Sequence, residues 1–167
     1  MEEKSSHAEG PEAEKSSRFQ TRRDSNSPFQ VRSFDAFDSE KLKGRNTFSA
    51  AEKLKSKKII EQLFKQGKSF GKSGFTLVYF PCTLNSFYPA QAGFTASKSN
   101  FKKAVDRNRI KRLMREVYRL NKIPLYQSLV EKKKQMALMF IYKGKELPDM
   151  DKTQAAITAC LSKLLQA

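Results

Sequence analysis

Hydrophobic residues at helical spacing mark the most distinctive stretch of this chain, residues 98–122. At 100° per residue, one side of the predicted helix carries Ile110, Leu113, Met114, Val117 and Leu120. The other side is cationic and carries Arg107, Lys111, Arg112, Arg115 and Arg119, with Asn108 among them. The pattern therefore predicts an amphipathic helix that packs its apolar side on a core and exposes a basic surface.

A shorter helix and two strands are predicted before the basic helix. Ser49-Ala-Ala-Glu52 has the form of a capping box, Ser56 is a second candidate N-cap, and Gly67 ends the helix that follows. Its apolar face consists of Ile60, Leu63 and Phe64. Gly71 and Gly74 indicate a loop, after which residues 75–80 and 90–97 are predicted strands.

The region after the basic helix completes the predicted fold. The helix ends near Asn121, before Pro124, and residues 125–134 form a short amphipathic helix or turn. The continuous apolar run 136–142 is typical of a buried central strand. The core face of a last helix consists of Ile157, Cys160, Leu161, Leu164 and Leu165. The order α-β-β-α-β-α predicts a two-layer α+β sandwich.

Charge divides the chain into two parts. Residues 1–48 contain nine basic and nine acidic residues, whereas residues 49–167 contain 24 basic and 8 acidic residues and carry the whole net charge of +16. The first part is polar and without periodicity, so we predict a disordered tail at 1–48 and one folded domain at 49–167. A domain this basic repels itself unless a polyanion neutralises it, which favours nucleic acid.

Other partners and compartments are less consistent with the sequence. The longest apolar run, 136–142, is only seven residues and too short to span a membrane. The polar, acidic start of the chain lacks the apolar segment of a secretory signal. Cys82 and Cys160 lack the spacing of a redox or metal motif. We therefore expect a reduced protein in the cytoplasm.

The acidic residues and the single histidine do not form a recognisable nuclease site. The acids of the predicted domain are scattered, and the neighbouring Asp149 and Asp151 stand where a helix cap is expected. His7 is the only histidine and lies in the predicted tail, which excludes a histidine-pair mechanism. A basic domain of this kind is expected to bind RNA and to contribute neither a catalytic residue nor a metal site.

The basic helix also carries a family resemblance. Residues 103–112, KAVDRNRIKR, resemble the RNR motif of the bacterial ribonuclease P protein subunit, and residues 93–98, GFTASK, are similar to the strand that precedes it in that family. With the helix that ends at Gly67, the resemblance covers about residues 49–165. It implies a fold like that of ribosomal protein S5 domain 2, with a left-handed βαβ crossover around the basic helix, opposite to the general rule.

The resemblance implies a role in removing the 5′ leader of precursor tRNA, which leaves the mature 5′ end. In this family the catalytic subunit is an RNA that holds Mg²⁺, and the protein is auxiliary. The implied partners are this catalytic RNA and precursor tRNA, without a membrane or a small-molecule cofactor. The residues implied to contact the catalytic RNA are Arg107, Asn108, Arg109, Lys111, Arg112 and Arg115, assisted by Lys98, Lys102 and Lys103.

A second site is implied where the first helix meets the sheet. In the family this cleft binds the leader with aromatic side chains, as stacking on single-stranded RNA requires. Phe64 matches a family aromatic, whereas Ile60 and Val78 stand where aromatics are common. The expected leader-binding residues are Phe64, Ile60, Val78, Phe80 and Lys57. Core packing is the alternative for Phe64 and Phe80, and strand alternation puts Tyr79 on the core side.

Composition alone leaves a second function open, a non-enzymatic RNA-binding protein such as a ribosomal protein or an RNA chaperone. Both classes need a basic helix on a small α+β scaffold. A DNA-binding helix-turn-helix is disfavoured because a strand precedes the basic helix. The loop 98–102 is one residue longer than the commonest family pattern, so its contacts transfer less directly than those of residues 107–115.

Overall fold

The computed structural model describes residues 46–166, which all lie in one compact unit. After a 3₁₀ turn at Ala50–Glu52, the helices are α1 (Lys57–Gln66), α2 (Ala104–Asn121), α3 (Ile123–Glu131) and α4 (Met150–Leu165). The strands are β1 (Lys68–Lys72), β2 (Phe75–Pro81), β3 (Ala90–Ala96) and β4 (Met136–Tyr142). The predicted α+β class is confirmed. Most of the predicted tail, residues 1–45, lies outside the described residues.

The four strands form one sheet in the order β1-β2-β4-β3. β1 with β2 and β2 with β4 are antiparallel, whereas β3 and β4 are parallel. α2 and α3 form the connection between the two parallel strands. The left-handed crossover that the family resemblance implies stays a prediction.

Strand β1 was not predicted, and the loop expected at Gly71 is wrong. Lys68 pairs with Tyr79 and Lys72 with Phe75, so that β1 and β2 form a hairpin. Ser73 and Gly74 have φ values of 50° and 81°, the left-handed conformations that a two-residue hairpin turn requires. β1 is an exposed edge strand with a single large apolar residue, Phe70, and therefore shows no readable alternation.

Successive side chains in a strand point to opposite faces of the sheet. The helices cover these two faces unequally. The helices α2, α3 and α4 pack over one face, where Leu77, Leu138 and Phe140 belong to the main core. On the other face α1 contributes Leu63 to a smaller cluster. The rest of that cluster consists of Leu54, Val78, Ala137 and Met139, with Ile59, Ile60, Phe80, Cys82 and Ile141 half-buried against it.

Helix α2 buries the predicted stripe with one shift. Ile110, Met114 and Val117 are buried as predicted, and Leu113 is half-buried. Leu120 is 44% exposed, so its predicted place in the core is wrong. Tyr118 is fully buried instead, with its ring 5.5 Å from Phe140, which turns the packed side of the helix away from Leu120.

The segment before α1 packs against the end of α2. The Phe48 ring lies 5.7 Å from Phe94 and 5.8 Å from Tyr118, both edge to face. Lys53 then pairs in parallel with Ala92 at the outer edge of β3. The packed part of the chain therefore includes Phe48, which composition had assigned to the tail.

Candidate RNA-binding surfaces

The predicted RNA-contacting side chains lie on the outer surface of α2 and in the loop before it. Asn108, Arg109 and Arg112 are exposed, while Arg107, Lys111 and Arg115 are half-buried. The loop residues Lys98, Lys102 and Lys103 are also exposed. The helix reaches the surface because its packed side, from Ile110 to Tyr118, is fixed on the sheet, which leaves the cations facing outward.

Arg107 has a structural contact that the motif did not predict. Its Nη1 atom donates to the backbone oxygens of Phe101, at 2.8 Å, and Lys102, at 2.7 Å. These bonds fix the loop against the first turn of α2, which lacks a side-chain N-cap bond. Arg107 therefore positions Lys102 and Lys103 as well as adding its own charge to the surface.

The longer loop before α2 is anchored to the end of β4. Asn100 Nδ2 donates to the backbone oxygens of Lys143, at 2.8 Å, and Gly144, at 3.1 Å. The hydroxyl oxygens of Ser97 and Ser99 are hydrogen-bonded at 2.6 Å. These contacts hold the loop lysines beside the helix.

The cations on α2 differ in how far their charge is already compensated. Arg119 forms an ion pair with Glu116 and also donates to the backbone oxygen of Asn46. The hydrogen bond from Arg119 lowers the pKa of Glu116, so this carboxylate stays ionised. Arg115 lies 6.0 Å from the centroid of the Phe94 ring. The charge of Arg119 is therefore compensated by Glu116, whereas Arg107, Arg109 and Arg112 add their charge to the outer surface of the helix.

The second predicted site lies where α1 crosses the other face of the sheet. Phe64 is 54% exposed, so the core-packing alternative does not apply to it. Ile60 and Phe80 are half-buried, and Lys57 is exposed at the start of α1. Val78 is only 8% exposed and forms part of the floor of this cleft, packed with Leu63. Because Val78 has so little exposed surface, the accessible apolar area of the cleft belongs to Phe64, Phe80 and Ile60.

The opposite orientation of Tyr79 agrees with strand alternation. Its ring packs 5.6 Å from Phe70 on the face that carries the main core.

On the cleft face the sheet continues from β2 and β4 to the half-buried Gln91 and Thr95 of β3. Gly93 lies between Gln91 and Thr95 on this face. A Cβ atom at position 93 would lie only 2.8 Å from Met139 Cε, so the glycine leaves the space that the Met139 side chain occupies over β3.

A polar cavity at the end of this cleft was missed from the sequence. It has a volume of about 300 Å³ and is lined by Lys53, Lys55, Ser56, Asn85 and Gln91, among others. These residues come from the segment before α1, the β2–β3 connection and β3, so no sequence motif connects them. The cavity adds two lysines and hydrogen-bonding groups to the apolar cleft.

Two negative findings apply to the described part of the chain. Within residues 46–166, no three His, Cys, Asp or Glu side chains come together in a way that could hold a metal ion. No helix in that range is both long enough and apolar enough to cross a membrane.

A basic α+β domain with an exposed arginine helix and an aromatic cleft is typical of an RNA-binding module. A family model described as ribonuclease P matches residues 48–166. The ribonuclease P protein component of Chlorobaculum tepidum is 35% identical over 133 residues, which covers 74% of this chain and 86% of the relative. That of Porphyromonas gingivalis is 32% identical over 116 residues, with coverages of 70% and 85%. The chain therefore belongs to the ribonuclease P protein family.

Solved structures agree with this assignment at the level of the fold. The ribonuclease P protein of Staphylococcus aureus aligns with a TM-score of 0.51 at 19% identity, covering 68% of this chain and 94% of its own. That of Thermotoga maritima has a TM-score of 0.51 at 21% identity, with coverages of 66% and 96%. The chain is thus the protein component of a ribonucleoprotein enzyme with an RNA partner, in preference to a ribosomal protein or an RNA chaperone.

Proposed function

We propose that this protein binds the catalytic RNA of ribonuclease P through α2 and the 5′ leader of precursor tRNA through the α1 cleft. The observation that supports this division is the placement of two chemically different surfaces on opposite layers. The exposed arginines Arg109 and Arg112 belong to the layer on the main-core face, whereas the exposed ring of Phe64 belongs to the other layer.

The α2 surface fits a folded RNA. Arginine forks pair with phosphate oxygens, and each neutralised phosphate releases counterions, so affinity has to fall with salt. Asn108 is exposed between Arg107 and Arg109, where its amide can bond a 2′-hydroxyl or a base edge. The positive surface continues along the loop that Asn100 anchors, which carries Lys98, Lys102 and Lys103.

The cleft fits a single strand. Phe64 and Phe80 offer rings on which bases stack irrespective of sequence, beside the aliphatic Ile60. Lys57 and the lysines of the polar cavity, Lys53 and Lys55, lie where they attract the phosphates that connect those bases. Stacking of this kind does not depend on the identity of the base, which suits a leader whose sequence differs between tRNAs.

The reaction is proposed to take place in the RNA subunit, in the cytoplasm, with Mg²⁺ held by that RNA and by the substrate. Metal ions held in this way would supply an attacking hydroxide and stabilise the leaving oxygen. The protein's own contribution is to hold the leader and to neutralise phosphates near the site, without a membrane or a small-molecule cofactor.

The affinity of the assembled enzyme for two substrates tests this division. We expect the protein to tighten binding of precursor tRNA with a single-stranded leader, relative to the RNA subunit alone, and to change binding of mature tRNA much less. Equal tightening of both substrates would mean that the cleft does not bind the leader.

A further inference from the structure

The connection between β2 and β3, residues 82–89, is held by the side chain of one residue, Gln135. Gln135 Oε1 accepts from the backbone nitrogen of Leu84 at 2.8 Å. Its Nε2 atom donates to the backbone oxygens of Ser86, at 3.0 Å, and Tyr88, at 3.2 Å. A primary amide carries two donor hydrogens and one acceptor oxygen, and each of them is engaged here. The Gln135 amide therefore fixes the connection at three points, across 47–51 positions of sequence.

The backbone around Gln135 holds the two ends of the same connection. The backbone oxygen of Gln135 accepts from the backbone nitrogen of Cys82 at 3.1 Å. The backbone nitrogen of Met136 donates to the backbone oxygen of Pro89 at 3.0 Å. The connection has no regular secondary structure of its own, so its conformation depends on these bonds and on the Gln135 side chain.

The other side of the connection borders the polar cavity at the end of the α1 cleft. Thr83 and Asn85 of the connection line this cavity, as does Gln91 of β3. Ser86 Oγ donates to the backbone oxygen of Ala51 at 3.2 Å, and Gln91 Nε2 donates to the same oxygen at 3.0 Å. The segment before α1 is thereby joined to the connection and to β3. A shift of the connection therefore changes the shape of the cavity.

Asn85 brings free hydrogen-bonding groups to the cavity. Its side chain is exposed, and its amide has no hydrogen-bond partner within residues 46–166. The exposed lysines Lys53 and Lys55 line the same cavity. An amide that can both donate and accept, placed beside cations, matches the sugar–phosphate backbone of an RNA strand. Such a contact does not depend on the sequence of the strand.

We propose that Asn85 contacts the sugar–phosphate backbone of the leader and that Gln135 is the residue that positions Asn85. The proposal rests on the proposed function, because it requires the leader to lie in the α1 cleft. It adds a second point of contact beyond the Phe64 ring. Ser56, which lines the cavity, and Phe64 are separated by about 12 Å along α1, at about 1.5 Å for each residue. Successive nucleotides of a stacked strand lie about 3.4 Å apart, so the two contacts involve different nucleotides.

The affinity of the assembled enzyme for precursor tRNAs whose leaders are shortened one nucleotide at a time tests the proposal. The variants are Asn85→Ala and Gln135→Ala, alone and combined, and Phe64→Ala serves as the reference for the other contact. The matched control is Gln154→Ala, an exposed glutamine of α4 that does not line the cavity. Mature tRNA shows whether an effect depends on the leader. Affinity for the catalytic RNA alone shows whether each variant keeps the folded domain.

We expect Asn85→Ala and Gln135→Ala each to weaken binding of the precursor with the longest leader by about two- to tenfold, the range that one hydrogen bond contributes. The double variant should bind no more weakly than either single variant, because both act through one contact. Gln154→Ala should bind like the wild type. Affinity for mature tRNA and for the catalytic RNA should stay unchanged in all of them. The loss in these variants and the loss in Phe64→Ala should disappear at different leader lengths.

Four results would overturn the proposal. These are an unchanged affinity of Asn85→Ala for the longest leader, losses that add in the double variant, losses that disappear at the same leader length as in Phe64→Ala, and a loss of affinity for the catalytic RNA in Gln135→Ala. The last result would show that Gln135 supports the whole domain rather than the cavity. Equal tightening of precursor and mature tRNA by the wild-type protein would instead refute the proposed function of the cleft, whatever the variants do.

Discussion

The ammonium group of Lys122 and the carboxylate of Glu52 form a buried ion pair across 70 positions of sequence. Both side chains are about 1% exposed. Lys122 joins α2 to α3, whereas Glu52 ends the 3₁₀ turn before α1. Tyr126 also donates to Glu52, at 2.8 Å. The pair thus connects the segment that leads to α1 with the end of the basic helix.

Breaking one half of this pair should be costly, because the remaining charge stays buried without its partner. Lys122→Met is expected to lower the free energy of unfolding by about 3–5 kcal/mol, measured by urea denaturation. Adding Glu52→Gln to Lys122→Met should restore part of the loss.

The exposed pair of Lys152 and Asp149, 3.9 Å apart, provides the control for this measurement. Lys152→Met should leave the free energy of unfolding almost unchanged, because solvent screens an exposed ion pair. If Lys122→Met were as mild as Lys152→Met, the buried pair would not stabilise the fold.

The start of the packed domain can be located by two truncations. A chain that begins at Asn46 keeps the backbone oxygens that accept from Arg119 and Lys122, as well as the Phe48 ring. A chain that begins at Ser49 loses all three and should be less stable by on the order of 2–4 kcal/mol. Equal midpoints in urea for the two chains would place the boundary after Phe48.

The arginines of α2 should determine the salt dependence of RNA binding. Replacing both Arg109 and Arg112 by alanine is expected to reduce the slope of log affinity against log salt by about 1.4–1.8, or 0.7–0.9 for each lost phosphate contact. Affinity for the ribonuclease P RNA is measured by filter binding over a range of salt concentrations.

Two lysines outside α2 provide the control, since removing them changes the net charge equally. Lys134→Ala combined with Lys163→Ala should leave the slope close to that of the wild type, because both are exposed at the C-terminal end of α4, whereas Arg109 and Arg112 lie beside its start. The contact assignment would be contradicted by the same slope in both double variants.

Phe64 should contribute to leader binding without contributing to the fold. Its exposed ring predicts that Phe64→Ala weakens binding of precursor tRNA by about 1–3 kcal/mol, the range for stacking of one base, and leaves mature tRNA unaffected. Val105→Ala, at a residue of α2 that is 76% exposed, is the control and should change neither. A similar loss for both substrates would show that Phe64 acts outside the leader cleft.

The elements with strong periodicity could be predicted from the sequence, and those held by distant partners could not. The Ser56 and Gly67 caps and the apolar stripe of α2 are local signals, and the structure confirms them. β1 has no such signal, because its lysines face solvent at the edge of the sheet. Its strand form depends on pairing with β2.

The same distinction applies to the candidate sites. The RNR motif indicated the outer surface of α2 as a candidate site, but it could not show that Arg107 fixes the preceding loop or that Arg119 is paired with Glu116. The polar cavity brings Lys53 beside Asn85 and Gln91, across more than 30 positions of sequence. Contacts of this kind arise from tertiary packing, which periodicity does not report.

The most direct test of the whole account is a reconstitution. The purified protein is mixed with its cognate ribonuclease P RNA and a labelled precursor tRNA, at a Mg²⁺ concentration too low for the RNA to act alone. The account predicts release of the 5′ leader only when protein and RNA are both present. Cleavage by the protein alone, or tight RNA binding without any stimulation of cleavage, would contradict it.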